Sequence, residues 1–521
     1  MTEETTLTIE CNNVPMSYRR IHEVIHPWVE NQPAALALQD AGSRLTYGDL
    51  ESSVQATAQQ LQALGVRAGD RVLLVAENCA AAALTVLAAS VLDAWAVIVN
   101  ARLSPREIDN FIDHSGARRV LYTIEVSADA KAHAERAGAV LQTWPGTGAL
   151  AAGPLNEAAV PEPVHHDPAE QVAAMIYTSG TSGSPKGVML THANLLFIAD
   201  INRQLRRVGP LDKVYGVLPM AHVVGLSTQL IGSLSSGSAL LLEPRFTPES
   251  LVRSIREESL TLLIGVPAMY ARLLDWCRQH GASLDDHRLR VIGTAGSPLT
   301  PQLKQDVEDM FGLTLQNGYG LTETSPTVAQ TRLDAARPDC SVGQPIPGIE
   351  IRIVDPQGMD VEAGTVGELW VRGPNLMKGY YRNVGLTREA VNSDGWFNTG
   401  DMARQEPDGA LFIVGRTKEL IIRSGFNVYP VEVEQVLNSH PLVVQSAVVG
   451  RQVEGNEEVV AFVELAANET LSAEVLNAYA RERLSPYKVP SEIRFLSQLP
   501  SAPTGKILKN DLKQQAAVHS S

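Results

Sequence analysis

Apolar positions along the first part of the chain change period several times, and each change predicts an element. Between Thr46 and Leu64, Leu50, Val54, Ala58 and Leu61 recur on one face at helical spacing. Thr46 can cap that helix with Asp49 three residues on, and Gly65 stops it. Arg71 to Val75 reads as a strand. Ala80 to Val99 is long and apolar enough to suggest a membrane span, but Asp93 interrupts it. It splits into a buried helix (Ala81 to Leu92) and a strand (Ala96 to Val99), which makes it core. Pro105 to Ser115 is a further helix. Strand and helix in alternation predict a mostly parallel sheet covered by helices.

Gly146 to Asp167, rich in Ala, Gly and Pro, reads as a connection. Beyond it, Val172 to Ile176 and Val188 to Leu190 are strand-like, and Thr191 can cap a helix through Asn194, Leu195 and Leu196. Strand-type runs follow at Val214 to Leu218, Ala239 to Leu242, Leu262 to Val266 and Arg290 to Ile292, separated by helical patterns such as Pro248 to Glu257 and Ala268 to Arg278. From Ser341 the texture turns to short strands and turns (Ile349 to Val354, Gly367 to Val371, Ala410 to Ile413), which predicts a small β-rich subdomain. It ends at Gly415-Arg416-Thr417-Lys418. A fresh alternation follows: Val431 to Leu437 helical, Val443 to Val449 and Val459 to Leu465 strands, Leu471 to Leu484 helical. That predicts a separate C-terminal domain of about 100 residues.

Length and charge narrow the function. At 521 residues, two or three domains are expected, and 44% hydrophobic content supplies an ample core. The net charge of −15 gives no footprint of a nucleic-acid binder. Positive charge concentrates at the end of the chain, where Arg481 to Ser520 holds seven Lys or Arg against three Asp or Glu. Cys11, Cys79, Cys277 and Cys340 are far apart and lack metal-type spacing, which reads as reduced thiols in the cytoplasm. Neither end carries a secretory or peroxisomal address.

The densest chemistry lies in Tyr177-Thr-Ser-Gly-Thr-Ser-Gly-Ser-Pro-Lys-Gly187, with three glycines, five Ser or Thr hydroxyls, one proline and one lysine in eleven residues. Glycines let backbone N–H groups approach a ligand, hydroxyls add donors and Lys186 adds charge, which suits a polyphosphate. Such residues also fill ordinary surface turns. It is not a Walker A loop, because Pro185 stands where that pattern needs glycine and a strand follows instead of a helix. Tyr319-Gly-Leu-Thr-Glu323 places a hydroxyl beside a carboxylate, a set that can bind a phosphate oxygen and Mg²⁺, or simply form a polar turn.

The Tyr177–Gly187 loop resembles the phosphate loop of the adenylate-forming superfamily, which includes acyl-CoA synthetases, luciferases and peptide-synthetase adenylation domains. Ser182 replaces the second of the family's paired threonines and keeps its hydroxyl. Four further motifs follow in the family's order: Tyr319 to Glu323, Thr399-Gly400-Asp401, Gly415-Arg416, and Leu499 to Lys506 ending in Gly505-Lys506. The resemblance implies that ATP is bound by Thr178, Ser179, Gly180, Thr181, Ser182 and Lys186. By the same resemblance Tyr319 lies against the adenine, Thr322 contacts the α-phosphate, Glu323 holds Mg²⁺, Asp401 accepts from the ribose hydroxyls and Arg416 supports the nucleotide. Lys506 is the catalytic cation that bridges attacking carboxylate and α-phosphate, chemistry that suits a lone flexible lysine. His222 lies beside the substrate carboxylate. The residue before it, commonly aromatic in acyl-CoA synthetases, is Ala221 here.

The implied fold is α/β: a large N-terminal adenylation domain (1–415) of helix-covered, mostly parallel sheets with a small β-rich subdomain, and a small mobile α+β C-terminal lid (419–521). Residues 416–418 form the hinge, with Lys418 at its centre. The lid presents Lys506 for adenylation and then a second face, Ser424, Gly425 and Phe426, for CoA. Near that face Asn456 interrupts the family's Gly-Glu pair.

The acid is read from the pocket walls the resemblance implies: Val223 to Leu234, Gly265 to Tyr270 and Gly293 to Leu299. These include Val223, Gly265, Met269, Gly293, Ala295 and Gly296. Their residues are apolar or small and contain no charged side chain, neither an aspartate for an amino acid nor a cation for a second carboxylate. The expected reaction is ATP-dependent activation of an apolar monocarboxylic acid, fatty or aromatic, as acyl-AMP with release of pyrophosphate, then acyl transfer to CoA. Loading of a carrier protein, or sensing without catalysis, are the alternatives. The expected partners are the acid, ATP and CoA, with no nucleic acid or membrane span; a homodimer is compatible.

Overall fold

Thr46 and Thr191 both cap their helices. Asp49 N donates to Thr46 Oγ1 at 3.2 Å, and Thr46 N donates back to the Asp49 carboxylate at 3.1 Å, which opens the helix Tyr47–Ala63. Thr191 and Asn194 form the same reciprocal pair at 3.2 and 2.9 Å and open the helix His192–Arg206. These details come from a computed structural model, which describes residues 18–178, 186–424, 426–453, 456–466, 469–501 and 507–517.

Two large sheets form the body. In the nine-stranded sheet, Leu36–Gln39, Ala239–Leu242, Lys213–Gly216, Leu262–Gly265, Val291–Ala295 and Leu315–Gly320 lie side by side and parallel. Antiparallel strands close both of its edges. The eight-stranded sheet is parallel only at its centre, through Val172–Thr178, Trp95–Asn100, Arg71–Ala76 and Arg119–Tyr122. One of its outer strands, Gly148–Ala152, lies in the Ala/Gly/Pro-rich stretch that the sequence presents as mere connection.

Strand Arg71–Ala76 shows why its sequence is a continuous apolar run. Val72, Leu74 and Ala76 belong to one core cluster, whereas Leu73 and Val75 belong to another, so both faces are covered. The first cluster also takes Val214, Leu240, Leu50, Leu84 and Leu195, and so joins both sheets through the helices between them. Ala80–Val91 and Trp95–Asn100 are a helix and a strand of this core, and among the described residues no helix is long and apolar enough to cross a membrane.

The β-rich texture after Ser341 is an antiparallel sheet of four strands: Glu350–Val354, Gly367–Arg372, Phe397–Gln405 and Leu411–Arg416. Past Lys418, Val443–Val453, Asn456–Leu465 and Glu492–Leu496 form a three-stranded sheet. The helices Pro430–Asn438, Ala473–Arg481 and Lys509–Ala517 pack on it, and two apolar clusters there draw only on residues from Ile421 onward.

Candidate active site

The predicted residues Gly265, Gly293, Ala295 and Tyr319 lie where parallel strands of the nine-stranded sheet end, the usual binding edge of an open α/β sheet. Gly265 pairs with Thr294, Gly293 with Gln316, and Ala295 with Gly318, so the pocket residues Gly265, Gly293 and Ala295 stand on adjacent strands, beside the strand that carries Tyr319. The strand Lys213–Gly216 stops two residues short of the predicted Leu218, and the freed turn carries His222.

That turn is pinned from two sides. Asn78 donates to the carbonyls of Gly216 and Leu218 and accepts from Met220 N, each at 2.9 Å. Gln229 accepts from Leu218 N at 3.1 Å and donates to Tyr215 O at 3.0 Å. Gln229 itself sits in a π-helix, Val224–Ile231, that the apolar sequence did not distinguish from an ordinary wall. Its first turn presses on the loop: a Cβ on Gly225 would lie 2.2 Å from Pro219 O, so only glycine fits. His222 is half-buried, and its Nδ1 accepts a long 3.4 Å bond from Val224 N, which leaves the ring proton of the neutral form on Nε2. Val223 is fully buried and Met269 nearly so, while Gly296 takes a left-handed φ of 85° just after the strand end.

The residues predicted to meet the nucleotide form two groups. In the first, the Tyr319 phenol donates to Asp401 Oδ2 at 2.5 Å, and Arg416 Nε lies 3.1 Å from Asp401 Oδ1. Asp401 and Arg416 are cross-strand partners in the four-stranded sheet, and Asp401 is buried. Burial and the adjacent carboxylate push the Tyr319 phenol well above its ordinary value, so it stays a donor.

In the second group, the Tyr380 phenol donates to Glu323 Oε1 at 2.8 Å, and Lys186 Nζ stands 5.6 Å over the Tyr380 ring. Burial and Glu323 raise the Tyr380 phenol in the same way. Thr178 and Lys186 are paired in register across the two strands that flank the predicted phosphate loop. Tyr177 is fixed by stacking on Phe111 at 4.2 Å and by a 2.9 Å bond between its phenol and His114 Nδ1. Thr322 is buried in the short turn Thr322–Thr324, which Gly320 allows: a Cβ there would lie 1.7 Å from Pro326 O.

Tyr380 was not legible in the sequence. It sits 57 residues from Glu323 in a two-residue strand, Gly379–Tyr380, paired with Val188 and Met189, and no local spacing ties it to the motif. The Glu323 carboxylate suits Mg²⁺. One oxygen is held by Tyr380, the other has no partner among the described residues, and Mg²⁺ takes one or two protein carboxylates plus phosphates. No cluster of three or more His, Cys, Asp or Glu side chains forms a metal site among the described residues.

Other predicted residues lie in the C-terminal part. Lys418 is exposed in the short turn Thr417–Glu419. Ser424 N donates to Asn456 Oδ1 at 2.7 Å, and Asn456 Nδ2 donates to Ser424 Oγ at 3.2 Å. The residue that interrupts the family's Gly-Glu pair therefore holds the predicted CoA segment. Phe426 is exposed and stacks on Tyr487 at 4.6 Å. Ser179, Gly180, Thr181, Ser182, Gly425 and Lys506 lie outside the described residues.

With this geometry in place, the family follows. Residues 25–381 match the sequence model of AMP-binding enzymes and residues 432–506 that of the AMP-binding enzyme C-terminal domain. The chain belongs to the AMP-binding enzyme family. It is 34% identical over 485 residues to a feruloyl-CoA synthase of an Amycolatopsis species, covering 93% of this chain and 96% of that one. It is 32% identical over 530 residues to a long-chain-fatty-acid–CoA ligase of Yersinia pestis, covering 93% and 92%. Among solved structures, a benzoate CoA ligase from Burkholderia xenovorans LB400 superimposes with a TM-score of 0.82 at 29% identity, covering 95% of this chain and 99% of that one.

Proposed function

We propose that the protein is an AMP-forming carboxylate–CoA ligase that activates an aromatic or fatty monocarboxylic acid. The observation that carries this is the Tyr319–Asp401–Arg416 group together with the Glu323–Tyr380–Lys186 group, drawn from three sheets, in a chain similar along nearly its whole length to CoA ligases. The carboxylate oxygen attacks the α-phosphorus of ATP, pyrophosphate leaves, and acyl-AMP forms. The CoA sulfur then attacks the acyl carbonyl and AMP leaves.

In this reading Asp401 and Arg416 hold the ribose, Tyr319 flanks the adenine, and Lys186 and Thr178 meet the phosphates with Ser179, Gly180, Thr181 and Ser182. Thr322 meets the α-phosphate and His222 the acid's carboxylate. Glu323 would hold Mg²⁺, which would supply positive charge against the phosphates. Residues 1–415 bind ATP and acid, 416–418 hinge about Lys418, and 419–521 carry Lys506 and the CoA segment Ser424, Gly425 and Phe426. Two apolar clusters confined to residues from Ile421 onward support that division. Free thiols at Cys79, Cys277 and Cys340 support a cytoplasmic protein. Exposed Val140 and Leu141 on the edge strand of the eight-stranded sheet support a homodimer, which light scattering tests.

The test is pyrophosphate release across acids from acetate through octanoate and palmitate to benzoate, cinnamates and malonate, with and without CoA. CoA-dependent turnover that peaks on an apolar acid is expected. Lys506→Ala should abolish pyrophosphate release yet still transfer acyl from supplied acyl-AMP to CoA. One equivalent of pyrophosphate that CoA cannot drive further would instead indicate a carrier-protein loader, and no release with any acid would indicate a sensor.

A further inference from the structure

The three segments expected to wall the acyl pocket carry no charge, but the fold brings a cation in from elsewhere. Arg206, in the last turn of the helix His192–Arg206, reaches inward and borders two small cavities. The first is lined also by Thr228, Gln229 and Ser233 of the wall helix and by Ile264. The second is lined also by Gly293, Thr294 and Gln316, so it adjoins a predicted pocket residue directly.

Arg206 has no carboxylate partner among the described residues. Its Nη1 donates to Asn202 Oδ1 at 2.5 Å and its Nη2 to Gln330 Oε1 at 3.2 Å, both neutral acceptors. A guanidinium has five N–H donors, and the others meet no acceptor among the described residues. Burial pulls its pKa down to about 10, so it remains charged near neutrality. The Thr294 hydroxyl is buried beside it and has no hydrogen-bond partner either. A half-buried cation without a carboxylate partner lies beside an orphaned buried hydroxyl, and a ligand acceptor would satisfy both.

We propose that Arg206 and Thr294 form the far end of the acyl pocket and select acids bearing an oxygen acceptor remote from the carboxylate. This rests on the carboxylate–CoA ligase reading and refines its substrate: an apolar body held by Val223, Ile264 and Met269, ending in a hydroxyl, phenol or second carboxylate. The shared chemistry is the terminal oxygen, neutral or anionic. A helix anchored to the strand Thr327–Gln330 through Gln330 would account for Arg206 without a ligand, and the test separates the two.

The experiment compares kcat/KM, by CoA-dependent pyrophosphate release, for cinnamate, para-hydroxycinnamate and para-carboxycinnamate, and for octanoate, ω-hydroxyoctanoate and suberate. Wild type should prefer the oxygen-ended member of a series, and whether hydroxyl or carboxylate leads distinguishes a neutral from an anionic group. Arg206→Met should cut kcat/KM for that member by about tenfold or more, the loss of one charge-assisted hydrogen bond, while the plain acid changes less than about threefold. Thr294→Val, nearly isosteric and without the charge change, should show a smaller selective loss and serves if Arg206→Met does not fold. A wild-type preference for plain acids, or equal losses for plain and oxygen-ended acids in both variants, would overturn the proposal while leaving the ligase reading intact. No turnover of any acid would overturn both.

Discussion

The Tyr319 phenol donates to Asp401 at 2.5 Å across 82 residues of sequence, and the bond ties the nine-stranded sheet to the four-stranded one. It sets the spacing between the surface expected to meet the adenine and the carboxylate expected to meet the ribose. Arg416 holds the other oxygen of the same carboxylate, so its orientation is fixed before a ligand arrives.

Asp401→Ala should therefore raise the KM for ATP by about tenfold to a hundredfold, since hydrogen bonds to a charged group are worth roughly 1.5–3 kcal/mol. Tyr319→Phe leaves the carboxylate in place and should cost less than about tenfold. Initial rates of pyrophosphate release against ATP concentration check both. An unchanged KM in Asp401→Ala would remove Asp401 from the nucleotide site.

Tyr380 orients Glu323 by one hydrogen bond, so Tyr380→Phe should raise the Mg²⁺ concentration for half-maximal rate by about two- to tenfold with little effect on the KM for acid. Chelation should abolish pyrophosphate release and added Mg²⁺ restore it. A titration of Mg²⁺ in the variant gives the answer. Equal Mg²⁺ dependence in variant and wild type would detach Tyr380 from the metal.

Two histidines predict an acid-sensitive fold. Burial pushes His22 down to about 4 and His192 well below its ordinary 6.5, with positive neighbours adding to the effect at His192. His192 Nδ1 accepts from Ile21 N at 3.1 Å, and its Nε2 is buried with no partner. Below pH 6.5 the unfolded chain binds protons that the folded chain refuses, so stability falls as pH drops from 6.5 toward 4. The loss approaches about 1.4 kcal/mol per pH unit for each histidine. His192→Asn keeps an acceptor for Ile21 and should flatten the slope of stability against pH, read by denaturant unfolding at several pH values. A slope equal to that of wild type would show that His192 does not set it.

Much of this was legible in residue order because it is local. Thr46 with Asp49 and Thr191 with Asn194 are capping pairs three residues apart, and both form. The strand at Ala239–Leu242 and the helix at Pro248–Glu257 fall where apolar period and Pro/Gly punctuation place them. Other features were not legible. The strand Gly148–Ala152 draws its stability from partners on either side, not from its weakly strand-forming Ala and Gly. The widened helix at Val224–Ile231 has the same apolar look as an α-helix, and it is set by Gln229, Asn78 and the close approach of Gly225 to Pro219.

By itself the sequence determined the kind of protein this is: alternating strands and helices, and five ordered motifs. These rest on local spacing, which fixes backbone period and the chemistry carried at each turn. Tertiary structure alone decided which distant side chains complete the site. It brought Tyr380 to Glu323, locked Asp401 between Tyr319 and Arg416, and set Arg206 at two cavities lined otherwise by uncharged residues. Periodicity says which face a residue occupies. What that face meets depends on how the sheets and helices pack, because burial rewards contacts without regard to their separation along the chain.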